Sequence, residues 1–259
     1  MTSVNFDRAA GFYDRTRLLG PGWASHGLPA LLAAAGPAGR LLEVGVGTGR
    51  IAGPLWAQGA RLVGCDLAQA MLSQLRAKHP QAPIIRGDAV RLPLASGQFN
   101  LVYTVHVLHL IAGWPQALAE FRRVLAPGGL YATTWHERNP AAASRRLRAF
   151  WQARVEAHGG AWQRPGIEAP EALAPVLEAL GGRLAQTVDL PAEPETFRPR
   201  ELLDNIAGRV YSDAWQVSDE VLAASLREAT EFARAEFGDL EAELVQPAGR
   251  SWLEFYVFG

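Results

Sequence analysis

Three glycines at alternate positions, Gly45, Gly47 and Gly49, end a short apolar run and lead straight into a helical pattern from Arg50 to Gln58. A second apolar run, Arg61–Cys65, stops at Asp66, and a third ends in Gly87-Asp88-Ala89. Strand, glycine turn, helix, strand, acid is the order in which an α/β protein brings its backbone against a nucleoside and holds the ribose with a carboxylate. The spacing is Gly-x-Gly-x-Gly. The dinucleotide fingerprint, Gly-x-Gly-x-x-Gly, keeps a third glycine where this chain has Arg50, and aims its helix at a pyrophosphate. A tight turn with that glycine displaced suits a ligand that needs close backbone approach but has no pyrophosphate to cradle. Asp66 taken alone is equally suited to capping the following helix, and the two roles are compatible. Asp88 taken alone also fits a turn.

The elements that must position these residues follow from hydrophobic periodicity. Strands are expected at 41–45, 61–65, 83–86, 99–105 and 129–135, with helices at 50–58, 68–78 and 115–125 between them. Ser96-Gly97-Gln98 and Pro127-Gly128-Gly129 read as the turns before the fourth and fifth strands. Such alternation implies a doubly wound parallel sheet covered on both faces, with ligands beyond the carboxyl ends of the strands. Ahead of it, residues 3–19 read as an amphipathic helical lead-in, with Phe6, Ala9, Ala10, Tyr13 and Arg17 at helical spacing, and a short helix spans Leu28–Ala35. Behind it come helical patterns at 141–158 and 170–180, a strand at 184–190, and a last strand at Trp252–Phe258. About sixty residues separate those two strands, with helical pattern at 199–209 and 218–236. An insertion of that size is usually a lid or a binding element.

Composition narrows the class. The 259 residues are 49% apolar and 20% charged, with net charge −1, so a large core is available and nucleic acid is not an expected partner. No apolar stretch reaches the length of a membrane span and the first residues lack a signal-peptide apolar region, so a cytoplasmic location is expected. The single cysteine, Cys65, lies inside an apolar run and reads as a buried, inert thiol. No His, Cys or Asp cluster has metal-ligand spacing.

Glu43-x-Gly45-x-Gly47-x-Gly49 resembles the first motif of class I S-adenosylmethionine-dependent methyltransferases, and the resemblance extends over about 40–136. It is nearest the small-molecule branch related to ubiquinone and menaquinone biosynthesis, the type 11 methyltransferases. The resemblance implies a Rossmann-like, doubly wound, mostly parallel seven-stranded sheet with an antiparallel last strand and an added helical cap. The whole chain, 1–259, is then a single methyltransferase domain. Its core would be about 28–136, 170–190 and 250–259, and its cap 1–27, 138–165 and 194–245. The cofactor implied is S-adenosylmethionine, leaving as S-adenosylhomocysteine. The residues expected around it are Tyr13, Arg17, Glu43, Gly45, Val46, Gly47, Gly49, Asp66, Leu67, Met71, Gly87, Asp88, Ala89, Val105 and His106. Asp66 would take the ribose hydroxyls, Leu67 and Met71 would flank the adenine, and Asp88 would meet its amino group. Tyr13 and Arg17 would fold over the cofactor near the methionine carboxylate. Glu43 would hold the methionine ammonium or sit in a structural hydrogen bond.

On the acceptor side, His106 and His109 follow the fourth strand, where cofactor and acceptor meet in such enzymes. A histidine there can serve as base toward a hydroxyl or amine, or can simply pack. Trp135 and His136 would border the same cleft, and Tyr211, Trp215 and Arg209 lie in the long insertion, where they would wall the acceptor or form ordinary core. The absence of an Asn-Pro-Pro-Tyr-like motif disfavours amino-methylation of bases or of protein glutamine. The activity expected is methyl transfer to an O, N or C nucleophile of a small molecule. A non-catalytic S-adenosylmethionine-binding protein and a nicotinamide-dependent oxidoreductase are the competing readings.

Overall fold

The computed structural model describes residues 3–16, 19–162 and 164–259. Arg17 lies outside the described residues. Among the described residues the strands are β1 (Arg40–Val44), β2 (Arg61–Asp66), β3 (Ile84–Arg86), β4 (Phe99–Thr104), β5 (Leu125–Glu137), β6 (Gly182–Leu190), β7 (Glu195–Phe197), β8 (Leu244–Gln246) and β9 (Arg250–Phe258). The α-helices are α1 (Tyr13–Thr16), α2 (Leu28–Ala35), α3 (Ala52–Ala57), α4 (Gln69–Lys78), α5 (Trp114–Val124), α6 (Ala143–Ala157), α7 (Leu173–Ala179), α8 (Pro199–Ala207) and α9 (Asp219–Phe237). The chain divides into two compact units. One comprises Met1–Trp135, Pro165–Pro191 and Ser251–Gly259, the other His136–Arg164 and Ala192–Arg250.

The first unit is built on a seven-stranded sheet of order β3-β2-β1-β4-β5-β9-β6. β1 pairs in parallel with β2 and β4, β2 with β3, and β4 with β5, whereas β9 runs antiparallel to β6. This is a Rossmann-like, doubly wound sheet. Alternate strand residues go to opposite faces, as the period of two requires. Leu41, Leu62, Leu101, Tyr103 and Phe255 pack with α2, α3 and α4 through Leu31, Leu55 and Leu75. Leu42, Cys65, Val102, Tyr131 and Tyr256 pack with α5 and α7 through Phe121 and Leu177.

Three local expectations change. The lead-in is not one helix. A short 3-10 turn at Asp7–Ala9 and α1 are separated by turn residues that include Gly11, and the N-terminal residues group with the sheet rather than with the second unit. Pro127-Gly128-Gly129 lies within the fifth strand and not ahead of it. β5 begins at Leu125, and residues 126–129 stand opposite Asn100 alone as the register shifts from Phe99↔Leu125 to Leu101↔Leu130, with Gly128 at φ 71°. The helix expected from Arg50 starts at Ala52, because Gly49, at φ 82°, still belongs to the loop.

The second unit is mostly helical, with a ribbon of β7 and β8 that periodicity did not foretell. Each of these strands has three residues, too short to show alternation. Its core gathers Trp151, Leu203, Ile206, Leu222, Ala229 and Leu240. Through this core runs an ion pair. Arg148 gives Asp213 three hydrogen bonds of 2.7–2.9 Å, and Gln152 adds one of 3.2 Å. Tyr211 stacks on the Arg148 guanidinium at 4.3 Å, and the Trp215 indole donates to the Arg209 carbonyl at 2.7 Å. Asp213→Ala leaves Arg148 buried without its charge partner and is expected to cost about 3–5 kcal/mol in urea unfolding. A loss below about 1 kcal/mol would show that the pair is not what holds α6 to the 211–215 segment.

Candidate functional site

The C-terminal ends of β1, β2 and β4 meet at the glycine loop. The amides of Gly45 and Val46 both donate to the Cys65 carbonyl, at 2.8 and 3.1 Å, so the loop is laced to β2 as it leaves β1. The Gly47 amide donates to Asp66 Oδ2 at 2.7 Å, and the Ala68 amide donates to Oδ1 at 2.8 Å. Asp66 is therefore a clamp between loop and β2, and not the N-cap of α4, whose cap position is Ala68. Burial pushes its carboxyl up, and the backbone amides of Ala68, Gly47 and Leu67 oppose that.

Glycine is required at two of these positions for different reasons. Gly45 has φ 80°, and a Cβ there would lie 2.2 Å from Val107 Cγ2, so only glycine lets the segment after β4 close on the loop. Gly47 has φ 54°, and a Cβ there would meet nothing nearer than Met71 Cε at 3.9 Å. That is ordinary contact at a buried residue, so the left-handed backbone is what calls for glycine there. Val46 points the other way, into the core against Gly64. Gly87 is closed in by Pro93 and by Cys65, whose buried thiol is pushed up to about 12 and is inert.

Beyond β3 an 870 Å³ cavity opens, with Leu67, Asp88, Val90, Gly113 and Gln116 in its walls. Leu67 and Asp88 are thus brought together. Ala89 and Met71 are buried, and Val105 is buried at the end of β4. His106 follows with φ 54°, left-handed and exposed, its amide donating to Thr134 Oγ1 at 3.2 Å. A non-glycine residue held in that conformation stores strain, a frequent property of functional corners. His109 is half-buried in a 3-10 turn, and its carbonyl accepts from Gly166 at 3.1 Å.

Glu43 makes a structural hydrogen bond. It is 2% exposed and faces Tyr103 directly across the β1–β4 pair, accepting its hydroxyl at 2.9 Å. Burial pushes the carboxyl up to about 8, against the Tyr103 bond and the charge of Arg50. Tyr13 sits in α1 with its ring edge-on to Phe6 at 6.2 Å. The neighbouring Asp14, not singled out from the sequence, bonds Thr48 of the glycine loop and, at 2.8 Å, Lys78 of α4. Burial works to raise Asp14, but Lys78, Thr48 and Arg50 outweigh it and hold the carboxyl below its ordinary value. Asp7 reaches α4 as well, accepting the Ala70 amide at 2.7 Å, and so supplies the cap that α4 lacks locally. Trp135, Trp252 and Tyr256 all donate to Glu254, at 2.7, 3.0 and 2.8 Å, and so fix the end of the sheet. Among the described residues no group of three or more His, Cys, Asp or Glu could hold a metal ion, and no helix is long and apolar enough to cross a membrane.

A glycine loop clamped by the acid of the next strand, on a sheet of this order, is the Rossmann-like fold of class I S-adenosylmethionine-dependent methyltransferases. Residues 42–133 match the family model described as a methyltransferase domain. The chain is 37% identical over 130 residues to the biotin biosynthesis bifunctional protein BioHC of Cellvibrio japonicus, covering 48% of this chain and 25% of that one. It is 32% identical over 151 residues to the demethylmenaquinone methyltransferase of Beutenbergia cavernae, covering 56% and 62%. The chain thus spans from a quarter to about three-fifths of the length of these curated relatives. A solved structure from Bacillus halodurans C-125, of a protein proposed to be a methyltransferase, superposes with TM-score 0.59 at 19% identity. The match covers 89% of this chain and 97% of that one. The chain is similar to class I methyltransferases of the small-molecule type.

The raised Glu43 pKa has a consequence for stability. Between about 4.5 and about 8 the unfolded chain ionises Glu43 while the fold retains the proton, so stability falls as pH rises through that window. Below it both states are protonated and the contribution is level. Glu43→Gln keeps an acceptor for Tyr103 and is expected to flatten the dependence, exceeding the parent at pH 8 by a few kcal/mol. Identical slopes in urea titrations of the two proteins across pH 5–8 would show that Glu43 is ionised in the fold.

Proposed function

We propose that the chain transfers a methyl group from S-adenosylmethionine to an O, N or C nucleophile of a small molecule. The observation that carries this reading is the Asp66–Gly47 clamp, which fixes the glycine loop against the end of β2, with the Leu67–Asp88 cavity one strand further on. Asp66 accepts the Gly47 amide on one oxygen and the Ala68 amide on the other, with the Leu67 amide also acting on it, and we assign its remaining acceptor capacity to the ribose hydroxyls. Leu67 and Val90 offer apolar walls for a purine, with Asp88 as acceptor for its amino group. When bound, S-adenosylmethionine supplies a methyl already activated on a sulfonium, so alignment of the nucleophile accounts for much of the rate. His106, exposed beside the Gly45–Val107 contact, is the residue we assign to take the acceptor's proton. His109 is the second candidate for that role. The similarity to a demethylmenaquinone methyltransferase and to a biotin-pathway protein supports a small-molecule acceptor.

Calorimetry with S-adenosylmethionine, S-adenosylhomocysteine and NAD tests the donor. Binding of the first two and not NAD is expected, and preference for NAD would end this reading. Asp66→Ala should weaken S-adenosylhomocysteine binding by about 2–3 kcal/mol, since two hydroxyls lose a charged acceptor. A folded variant with undiminished affinity would leave Asp66 as a purely structural clamp. Transfer of a labelled methyl to a metabolite pool separates an enzyme from a mere binder. With the acceptor found that way, His106→Asn, which tolerates the left-handed backbone, should lower the rate by about a hundredfold at saturating S-adenosylmethionine. An unchanged rate removes His106 from the chemistry.

A further inference from the structure

The far edge of the sheet holds a second cavity that methyl transfer does not use. Its volume is 320 Å³, and its walls come from α7 with the turn before it and from the β9–β6 pair. That size lies near the lower bound of small-molecule sites, about 300 Å³. Strand alternation puts Trp252, Glu254 and Tyr256 on one face of β9, and all three line the cavity. The other wall brings Glu171 from the 3-10 turn Pro170–Ala172 and Glu178 from α7. Arg183 of β6 is the basic residue of the lining, and Leu184 beside it is 51% exposed, an apolar side chain turned toward water.

Glu254 joins the aromatic and the acidic parts of this cavity. Its Oε2 accepts the Trp135 indole at 2.7 Å and the Tyr256 hydroxyl at 2.8 Å, and its Oε1 accepts the Trp252 indole at 3.0 Å. All three donors are neutral. They aim the carboxylate and hold two of the cavity's rings beside it, but they do not match its charge. Among the described residues Glu254, Glu171 and Glu178 have no ion pair. Oε1 accepts one bond where a carboxylate oxygen can take two. Three carboxylates against one guanidinium make the lining hostile to an anion. Among the described residues no three acids stand close enough to hold a metal ion, so the cation that suits the cavity is larger than a bare ion. An ammonium on an organic body meets each part of the wall. Carboxylates attract it, aromatic faces favour it, and Leu184 can cover the apolar body.

We infer that this cavity binds an organic ammonium ion, with Glu254 as its direct acceptor, Trp252 and Tyr256 as its aromatic walls, and Glu171 and Glu178 drawing it in from the side of α7. The site stands at the β9–β6 edge of the sheet, whereas the glycine loop leaves β1 on the other side of β4 and β5. It does not rest on the methyl-transfer reading.

The test uses the full chain in low-salt buffer at neutral pH. The probes are phenethylamine, a primary ammonium, and choline, a quaternary one, with 2-phenylethanol as the neutral control. Calorimetry should give saturable binding of at least one ammonium and none of the alcohol. Tighter binding of phenethylamine assigns the main contact to N–H donation onto Glu254, and tighter binding of choline assigns it to the rings. Glu171→Gln and Glu178→Gln should each weaken the better probe about two- to fivefold, as expected for partners near the surface. Glu254→Gln should weaken it at least about tenfold. Glu254 also fixes three side chains, so the variants at exposed Glu171 and Glu178 keep the test independent of a folding defect. Arg183→Met removes the competing cation of the wall and should tighten binding about two- to fivefold. Glu201→Gln, on the exposed side of α8, should change nothing. Binding of neither ammonium, equal binding of 2-phenylethanol, an equal loss in Glu201→Gln, or weaker binding in Arg183→Met overturns the inference.

Discussion

The site depends on one short contact, the Gly47 amide on the Asp66 carboxylate at 2.7 Å. A glycine-rich turn is entropically costly to order, and this one has three residues at positive φ within five positions. The turn stays in place because its amides are spent on β2, two on the Cys65 carbonyl and one on Asp66. That in turn fixes where α3 starts and holds the Gly47 backbone against the end of β2. The acid is held by the loop as much as the loop by the acid, since the amides of Gly47 and Ala68 aim both of its oxygens.

Beneath this loop the sheet is stiffened by polar contacts that a hydrophobic strand pattern does not advertise. Glu43 and Tyr103 pair across β1 and β4, and the Thr104 hydroxyl bonds those of Tyr131 and Thr133 at 2.8 and 3.1 Å. All these groups are buried, so each bond offsets a desolvation that would otherwise weigh against the fold. They lie one layer below the ligand-facing backbone and fix the strand ends relative to each other.

The parts legible in the sequence are those that local spacing encodes. Gly45, Gly47, Gly49 and Asp66 announce themselves because loop, helix and next strand follow within about twenty-five residues, and a doubly wound parallel sheet follows from the alternation of elements, whereas the order β3-β2-β1-β4-β5 does not. What stayed hidden depends on partners far apart in the chain. Asp14 meets Thr48 across thirty-four positions, Tyr103 meets Glu43 across sixty, and Arg148 meets Asp213 across sixty-five. Pro-Gly-Gly carries the same signal whether it precedes a strand or interrupts one, and only the register with β4 distinguishes the two. Apolar spacing alone reads the lead-in as one helix, whereas turn residues that include Gly11 interrupt it and Asp7 and Asp14 are each drawn to contacts outside their own segment.

Those two acids give the segment before the sheet a particular character. It touches α4 through Asp7, and the glycine loop and α4 through Asp14, and both anchors are carboxylates near the surface. Contacts of this kind are solvent-accessible and screened by ions. They stand beside neutral anchors, the Val4 amide on the Leu110 carbonyl at 3.0 Å and the buried Ala9. Salt weakens the first kind of anchor and leaves the second, so the segment is held in two ways that answer differently to the medium.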